Sequence, residues 1–218
     1  MKLAHHPGVS MANVPDRPMA SAPWPLGIPD AEFHQRTPLK GLITKSEVRV
    51  IALSRMRLRE DSVAWDIGAG SGSVSIEAAL LARRGAVYAI EKNAEDAENV
   101  RRNIEKFGVA NVHLTVGTAP DGLDAWPDPD AVFVGGTAGR MEAIVRLSAR
   151  RLRPGGRIVV DCATVENLAE AMSSLKALDM ETDATLVNIA RSKDVIGLTR
   201  FEALNPVFIV TAWRKVEP

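Results

Sequence analysis

Residues 63 to 72 read Val-Ala-Trp-Asp-Ile-Gly-Ala-Gly-Ser-Gly, an apolar run that ends in an acid and then glycines at every second position. The residues that follow, with Val74, Ile76, Ala78, Ala79 and Leu80 apolar, read as a helix. A strand that arrives at Asp66 and turns through Gly68, Gly70 and Gly72 straight into a helix presents bare backbone at the end of a sheet, where a ligand lies against it. A second apolar run, Ala86 to Ile90, closes on Glu91, and an acid at that place suits the two hydroxyls of a ribose. This stretch therefore asks for a strand, a turn, a helix and a parallel strand, and it points to a nucleoside.

The dinucleotide fingerprint keeps two residues between its second and third glycines, and a pyrophosphate needs the helix amino end free to accept its charge. Here the spacing is Gly-x-Gly-x-Gly with Asp66 in front of it, which repels a pyrophosphate and favours a cationic ligand. The set formed by Asp66, Gly68, Ala69, Gly70, Ser71, Gly72 and Glu91 resembles the donor site of class I methyltransferases. That resemblance implies S-adenosylmethionine, which carries a sulfonium and an amino group on an adenosine, and an α/β, Rossmann-like fold.

The pattern beyond this unit agrees. A helix is expected from Ser46, as its cap, to about Arg57, with further helices at about 73–84, 94–107, 138–152 and 165–178. Strands read at 62–67, 86–91, 111–116, 130–134, 157–161, about 183–190 and 206–213. Strands alternating with helices predict a mainly parallel seven-stranded sheet with right-handed crossovers. The last two strands have no helix-length segment between them and are expected to form a C-terminal antiparallel pair. Residues 1–36, rich in proline and without periodicity, read as a flexible tail or interdomain linker before a domain spanning 37–218. His5 and His6 stand next to each other with no cysteine or carboxylate nearby, so no metal is assigned.

With 27 basic and 27 acidic side chains the chain has no global field to hold a nucleic-acid backbone. No apolar run is long enough to cross a bilayer, and the first residues lack the order of a secretory signal. Cys162, the single cysteine, ends an apolar strand and reads as a packed core residue, so a cytoplasmic protein is expected.

In open parallel sheets the ligand residues belong at the carboxyl ends of the strands. Besides Asp66–Gly72 and Glu91, that rule selects Gly117-Thr118-Ala119, expected beside the adenine, and Val134-Gly135-Gly136-Thr137, where the methyl is presented. Thr118 replaces the acid or amide that methyltransferases commonly offer to the adenine amine. The Asn-Pro-Pro-Tyr and Asp-Pro-Pro-Tyr words of amino-directed methyltransferases are missing at the fourth strand end, where glycines admit a bulky flat acceptor.

Leu42-Ile43-Thr44-Lys45-Ser46-Glu47-Val48-Arg49, the glycine-rich word, Gly117-Thr118-Ala119-Pro120, Asp130 to Gly136, Leu152 to Arg157 and Asn205-Pro206-Val207 together resemble one family. It is that of the C15 methyltransferases and decarboxylases of corrin synthesis, which act on precorrin-6B or its cobalt form. The resemblance implies a precorrin-type tetrapyrrole as acceptor, loss of carbon dioxide from its ring C acetate, and a homo-oligomer, a tetramer. It also implies similarity to the C-terminal half of a longer enzyme whose other half methylates C5, so that a C5-methyltransferase domain is fused or associated and the proline-rich tail is the linker. An electron-rich bridging carbon needs little help from a base, so no catalytic residue is named. A polyanionic macrocycle calls for basic groups near the strand tips, and Thr44, Lys45, Arg49, Gly136 and Arg140 are the expected acceptor-site residues, with Arg191 and Lys193 as further cations. Two other readings stay open: an RNA methyltransferase, whose basic stripe and purine-stacking tetrapeptide are missing, and a catalytically silent S-adenosylmethionine-binding module.

Overall fold

The computed structural model describes residues 25–36 and 43–215. Along the chain come α1 (Ser46–Met56), β1 (Val63–Ile67), α2 (Ser73–Leu81), β2 (Ala86–Glu91), α3 (Ala94–Phe107), β3 (Val112–Val116), β4 (Ala131–Val134), α4 (Met141–Arg151), β5 (Arg157–Cys162), α5 (Val165–Lys176), β6 (Glu181–Val187), β7 (Ala190–Val195), β8 (Leu198–Ala203) and β9 (Val207–Trp213). Seven of the strands form one sheet in the order β3-β2-β1-β4-β5-β9-β6. Neighbours from β3 to β5 pair in parallel, whereas β9 runs antiparallel to both β5 and β6. The mainly parallel sheet with a closing antiparallel pair is thus the one the sequence pattern predicts.

Helices α1, α2 and α3 cover one face and α4 and α5 the other. Alternate residues of each central strand feed the two cores: Ala64, Phe133, Val159 and Ile209 face the first helix layer, and Trp65, Val132, Ile158 and Val210 the second. Strand β4 is buried along its whole length, as a strand covered on both faces must be, and so reads as an unbroken apolar run. Local signals set the helix ends. The side chain of Asn93 accepts from the amides of Glu95 and Asp96 to start α3, and Gly108 in the left-handed region ends it. Thr164 caps α5 by accepting from the amide of Asn167.

Three expectations are corrected. Ser46 is the first residue of α1 and not its cap; the Ser46 amide is satisfied by the Asp30 carboxylate at 2.9 Å, from a residue 16 positions earlier. The strand expected over 183–190 ends at Val187, and a hairpin of β7 and β8 follows that pairs only with itself. Every residue of β8 and most of β7 are exposed, so the hairpin carries no inside–outside alternation that a reader of the sequence could detect. The expected tail also ends too late. His5, His6 and the other residues before position 25 lie outside the described residues, but residues 25–36 are packed onto the domain.

That packing centres on a buried ion pair. Arg49 and Glu77 have no exposed surface, and Arg49 Nε donates to Glu77 Oε1 at 2.7 Å. The Glu77 carboxylate also accepts from the amides of Gly27 and Ile28, at 3.0 and 2.9 Å. The Arg49 guanidinium in turn donates to the carbonyls of Ile28 and Thr44 and lies 4.9 Å over the Phe33 ring. Ile28 and Phe33 are themselves buried. Further along, His34 exchanges two backbone bonds with the Asn103 amide, whose nitrogen also donates to the carbonyl of Ser71 at 2.8 Å.

Glu77→Ala would leave a buried guanidinium and two amides without their acceptor. The unfolding free energy is expected to fall by about 3–5 kcal/mol. Urea denaturation measures this, and a loss within about 0.5 kcal/mol, the range of an ordinary surface change, would show that the pair supports nothing.

Candidate functional site

The sheet order reverses between β1 and β4, and the glycine-rich turn lies at that point, on the carboxyl ends of the strands. Backbone bonds fix its shape. Gly68 and Ala69 amides both donate to the carbonyl of Ile90 at 3.0 Å, and Gly135 and Gly136 amides both donate to the carbonyl of Ile67, at 2.9 and 3.3 Å. Gly68 has a φ of +77°, and a Cβ on it would come within 2.6 Å of the Gly136 carbonyl oxygen. Only glycine fits there, and the reason is the crossing of two chain segments, with or without a ligand. Gly72 likewise serves packing, since a Cβ on it would meet Val100 Cγ1 at 2.9 Å.

Glu91 joins the turn to the next helix. One carboxylate oxygen accepts from the amide of Gly70 at 2.8 Å and the other from the amide of Asn93 at 2.9 Å. The carboxylate is therefore held in place with lone pairs left over, which is what two ribose hydroxyls need. Its carbonyl accepts from the Gly117 amide at 2.9 Å, so the third strand end is tied to the same point. Thr118 is partly exposed beside it, whereas the side chain of Ala119 belongs to the second core, so Ala119 offers a ligand only its backbone.

Asp66 is buried, and one of its oxygens accepts from Ser75 Oγ. The other oxygen has no partner among the described residues, and neither does the buried hydroxyl of Ser71. Burial, and the charge of Glu91 after it, raise the Asp66 carboxyl to about 6. An acid missed by the sequence reading lies near it: Asp161, the penultimate residue of β5, has one oxygen buried and without a partner, and burial followed by the charge of Asp66 raises it to about 8. Its signal was an acid near the carboxyl end of an otherwise apolar strand, the same signal that drew attention to Asp66.

The expected acceptor-site residues are dispersed differently. Thr44 and Lys45 lead into α1, with Lys45 partly exposed and 4.0 Å from Asp30. Arg49 is not on the lip with Lys45, as expected, but wholly inside, because Glu77 and two carbonyls take up its donors. Arg140 caps α4 on the opposite face of the sheet, where it makes a bidentate pair with Asp121 at 2.9 and 3.0 Å. It lines an open basin of about 650 Å³ together with Pro120, Asp121, Gly139 and Arg146. Arg191 is engaged by Glu47 and by Asp30, and Lys193 by Glu202 out on the hairpin. Gly135 and Gly136 are exposed at the end of β4 between these two sides. Among the described residues no group of three or more His, Cys, Asp or Glu is placed to hold a metal ion.

A glycine turn at the switch point, an anchored acid with lone pairs to spare and a buried carboxylate with an open oxygen are what the donor of an S-adenosylmethionine-dependent methyltransferase asks for. The fold is shared with such an O-methyltransferase of Thermotoga maritima, at 21% identity over 81% of this chain and 68% of that one, with a TM-score of 0.69. More specifically, residues 38–217 match the model of the precorrin methyltransferase domain, and the chain belongs to that family. A relative from Pyrobaculum calidifontis, named as a cobalt-precorrin-6B C(15)-methyltransferase (decarboxylating), is 41% identical over 87% of this chain and 98% of its own. The crystal structure of precorrin-6Y C5,15-methyltransferase from Geobacter metallireducens is similar with a TM-score of 0.83 and 43% identity, over 88% of this chain and 97% of that one. That of precorrin 8W decarboxylase from Methanobacterium thermoautotrophicum has a TM-score of 0.79 at 35% identity, over 85% and 99%. The protein is an enzyme, and its methyl donor is S-adenosylmethionine.

Two outcomes follow from this geometry. Glu91→Ala removes the charged acceptor for the ribose and should weaken S-adenosylmethionine binding by about 1.5–3 kcal/mol, read by calorimetry; unchanged affinity would remove Glu91 from the site. The raised acids set a pH dependence of stability. Both bind protons more tightly folded than unfolded, so stability falls as pH rises from about 4, up to about 6 for Asp66 and about 8 for Asp161. In melting curves of the free protein, Asp161→Asn should abolish the fall between pH 6 and 8, and a slope like that of the parent would refute the assignment.

Proposed function

We propose that this chain transfers a methyl group from S-adenosylmethionine to C15 of a precorrin-6B-type tetrapyrrole and removes carbon dioxide from the ring C acetate, as a cytoplasmic step of cobalamin synthesis. The observation that carries the reading is a glycine turn flanked by an anchored acid and a buried carboxylate with an open oxygen, in a chain that covers its decarboxylating relatives almost end to end. The fit to the donor rests on charge as well as shape. A ligand with an ammonium and a sulfonium answers a buried carboxylate that has an oxygen to spare, and adenosine hydroxyls answer Glu91. When bound, the donor supplies an electrophilic methyl. The protein's part is to hold the acceptor carbon in line with it, a contribution that reaches about 7–11 kcal/mol and needs no general base.

The acceptor lies over Gly135 and Gly136, where no side chain obstructs a flat macrocycle. Lys45 on the α1 side and Arg140 on the α4 side are the cations left to receive its carboxylates, Arg49 being enclosed. Both already lie near an acid, Asp30 and Asp121, so a macrocycle carboxylate competes for each. A C5-methyltransferase domain, fused or associated, is the natural companion of such a chain, because the similar Geobacter enzyme is named for both positions.

We also propose a homo-oligomer, a tetramer, assembled through the β7–β8 hairpin. Ile196, Leu198 and Phe201 are 96%, 74% and 73% exposed on it, more apolar surface than a solvated hairpin keeps without a partner.

Incubation of the protein with the donor and a precorrin-6B-type macrocycle should give a product that has gained one methyl and lost carbon dioxide, as read by mass spectrometry. A macrocycle recovered unchanged would overturn the assignment. Ile196→Asp combined with Phe201→Asp should reduce the mass seen by light scattering to that of smaller species, and an unchanged mass would overturn the hairpin as the interface.

A further inference from the structure

Asp161 has no part in methyl transfer as described above, yet its setting is costly. Asp66, Phe133 and Val159 form one row across β1, β4 and β5. Asp161 lies two residues beyond Val159, so its side chain points to the same face as Asp66, the face covered by α1 and α2. Val160 pairs with Val134, which puts Asp161 level with Gly135, where β4 ends and the acceptor lies. One carboxyl oxygen is buried without a partner among the described residues, an arrangement that folding alone gives no reason to keep.

Its surroundings keep it protonated. At this level β4 gives way to Gly135 and β9 brings Ile209, neither of them charged, and the row below brings Asp66 from β1. Helix α1 carries Glu47, Arg49 and Arg55, whose charges are engaged by Arg191, Glu77 and Asp183. Helix α5 lies behind the sheet, where its Glu170 acts on Cys162. No cation is directed at Asp161 among the described residues, and its proton is held up to about pH 8.

We propose that Asp161 is the acid that delivers the proton replacing the lost carbon dioxide, and that it serves decarboxylation and not methyl transfer. The proposal rests on the C15 reading. In the step, the bond from the acetate methylene to its carboxylate breaks and carbon dioxide leaves without the bonding pair. That pair stays on the methylene carbon, conjugated with the macrocycle. The O–H bond of Asp161 breaks as a C–H bond forms there, which turns the methylene into a methyl group, and the carboxylate regains a proton from water. In the methyl transfer, the C15 electron pair forms the new C–C bond and the sulfur keeps the pair of the broken one. The macrocycle then releases one proton to solvent, so over the two reactions no net proton is consumed.

The test separates the two reactions by mass. Asp161→Asn and Asp161→Glu are compared with the parent in single-turnover incubations with donor and macrocycle, after calorimetry of donor binding. The parent should form only methylated, decarboxylated product, with the decarboxylation rate falling above about pH 8. Asp161→Asn should bind the donor as the parent does, transfer the methyl within a few-fold, and decarboxylate about a hundredfold more slowly, so that methylated macrocycle still carrying its carboxylate accumulates. The basic limb near pH 8 should vanish with it, and Asp161→Glu should restore part of the rate. A parent-like product ratio in Asp161→Asn overturns the proposal. So does loss of donor affinity in both variants, which would place Asp161 in the donor site. A parent enzyme that does not methylate the macrocycle at all overturns the C15 reading, and the proposal with it.

Discussion

The arrangement at the strand tips depends on the buried pair of Arg49 and Glu77. Burying two charges is expensive, and such a pair is sustained only when its remaining donors and acceptors are satisfied. Here they are: Glu77 receives Arg49 and two amides, and Arg49 reaches two carbonyls and Asp30. These bonds join residues 25–36, the entry to α1, α1 itself and α2, which also share the first apolar core. Helix α2 begins at the last glycine of the donor turn, so whatever holds α2 also sets that turn. Asn103 adds a second tie, between residue 34 and the carbonyl of Ser71. The donor loop is therefore supported from beneath by a segment that looks, in sequence, like a tail.

That segment marks the boundary of what the sequence made legible. The sheet and its helices could be read because each central element has a strong local signal: an apolar run where both faces are covered, a glycine turn, a cap such as Asn93. The donor site could be read for the same reason, since Asp66, Gly68, Gly70 and Glu91 stand at strand ends a few residues from their neighbours in space. Residues 25–36 have no such signal. They are ordered by a side chain 50 positions away and by two isolated apolar residues, Ile28 and Phe33, which proline-rich surroundings conceal. Arg49 misled for a related reason, because a basic residue on a helix is usually solvated and nothing nearby in sequence announces Glu77. The β7–β8 hairpin was missed because its strands are exposed almost throughout and carry no inside–outside alternation.

The two acids at the strand ends show how the site trades stability for function. A fold selected only for stability would not bury Asp66 and Asp161 on one face, each with an oxygen unpaired among the described residues, because burial raises both, the charge of Asp66 raises Asp161 further, and both pull stability down as pH rises. Cationic ligand chemistry gives the first of them a reason. A sulfonium and an ammonium placed near Asp66 would offset its desolvation, and the carboxylate that weakens the free protein would strengthen the complex.

The same argument distinguishes the second acid from the first. Asp66 accepts from Ser75, which lowers its proton affinity against burial, and its value near 6 leaves it largely ionised at neutral pH and suited to a cation. Asp161 has no such donor on its buried oxygen among the described residues, and its value near 8 leaves it largely protonated. One face of the sheet thus presents an anion beside the glycine turn and a neutral acid level with Gly135, about 10 Å apart across the strands and about 7 Å along them. Methyl transfer calls for negative charge near the sulfonium and decarboxylation for a proton near the methylene carbon. At Asp66 the hydroxyl and the amide of Ser75 hold the carboxyl down against burial, whereas nothing among the described residues does so at Asp161, and the two protonation states separate for that reason.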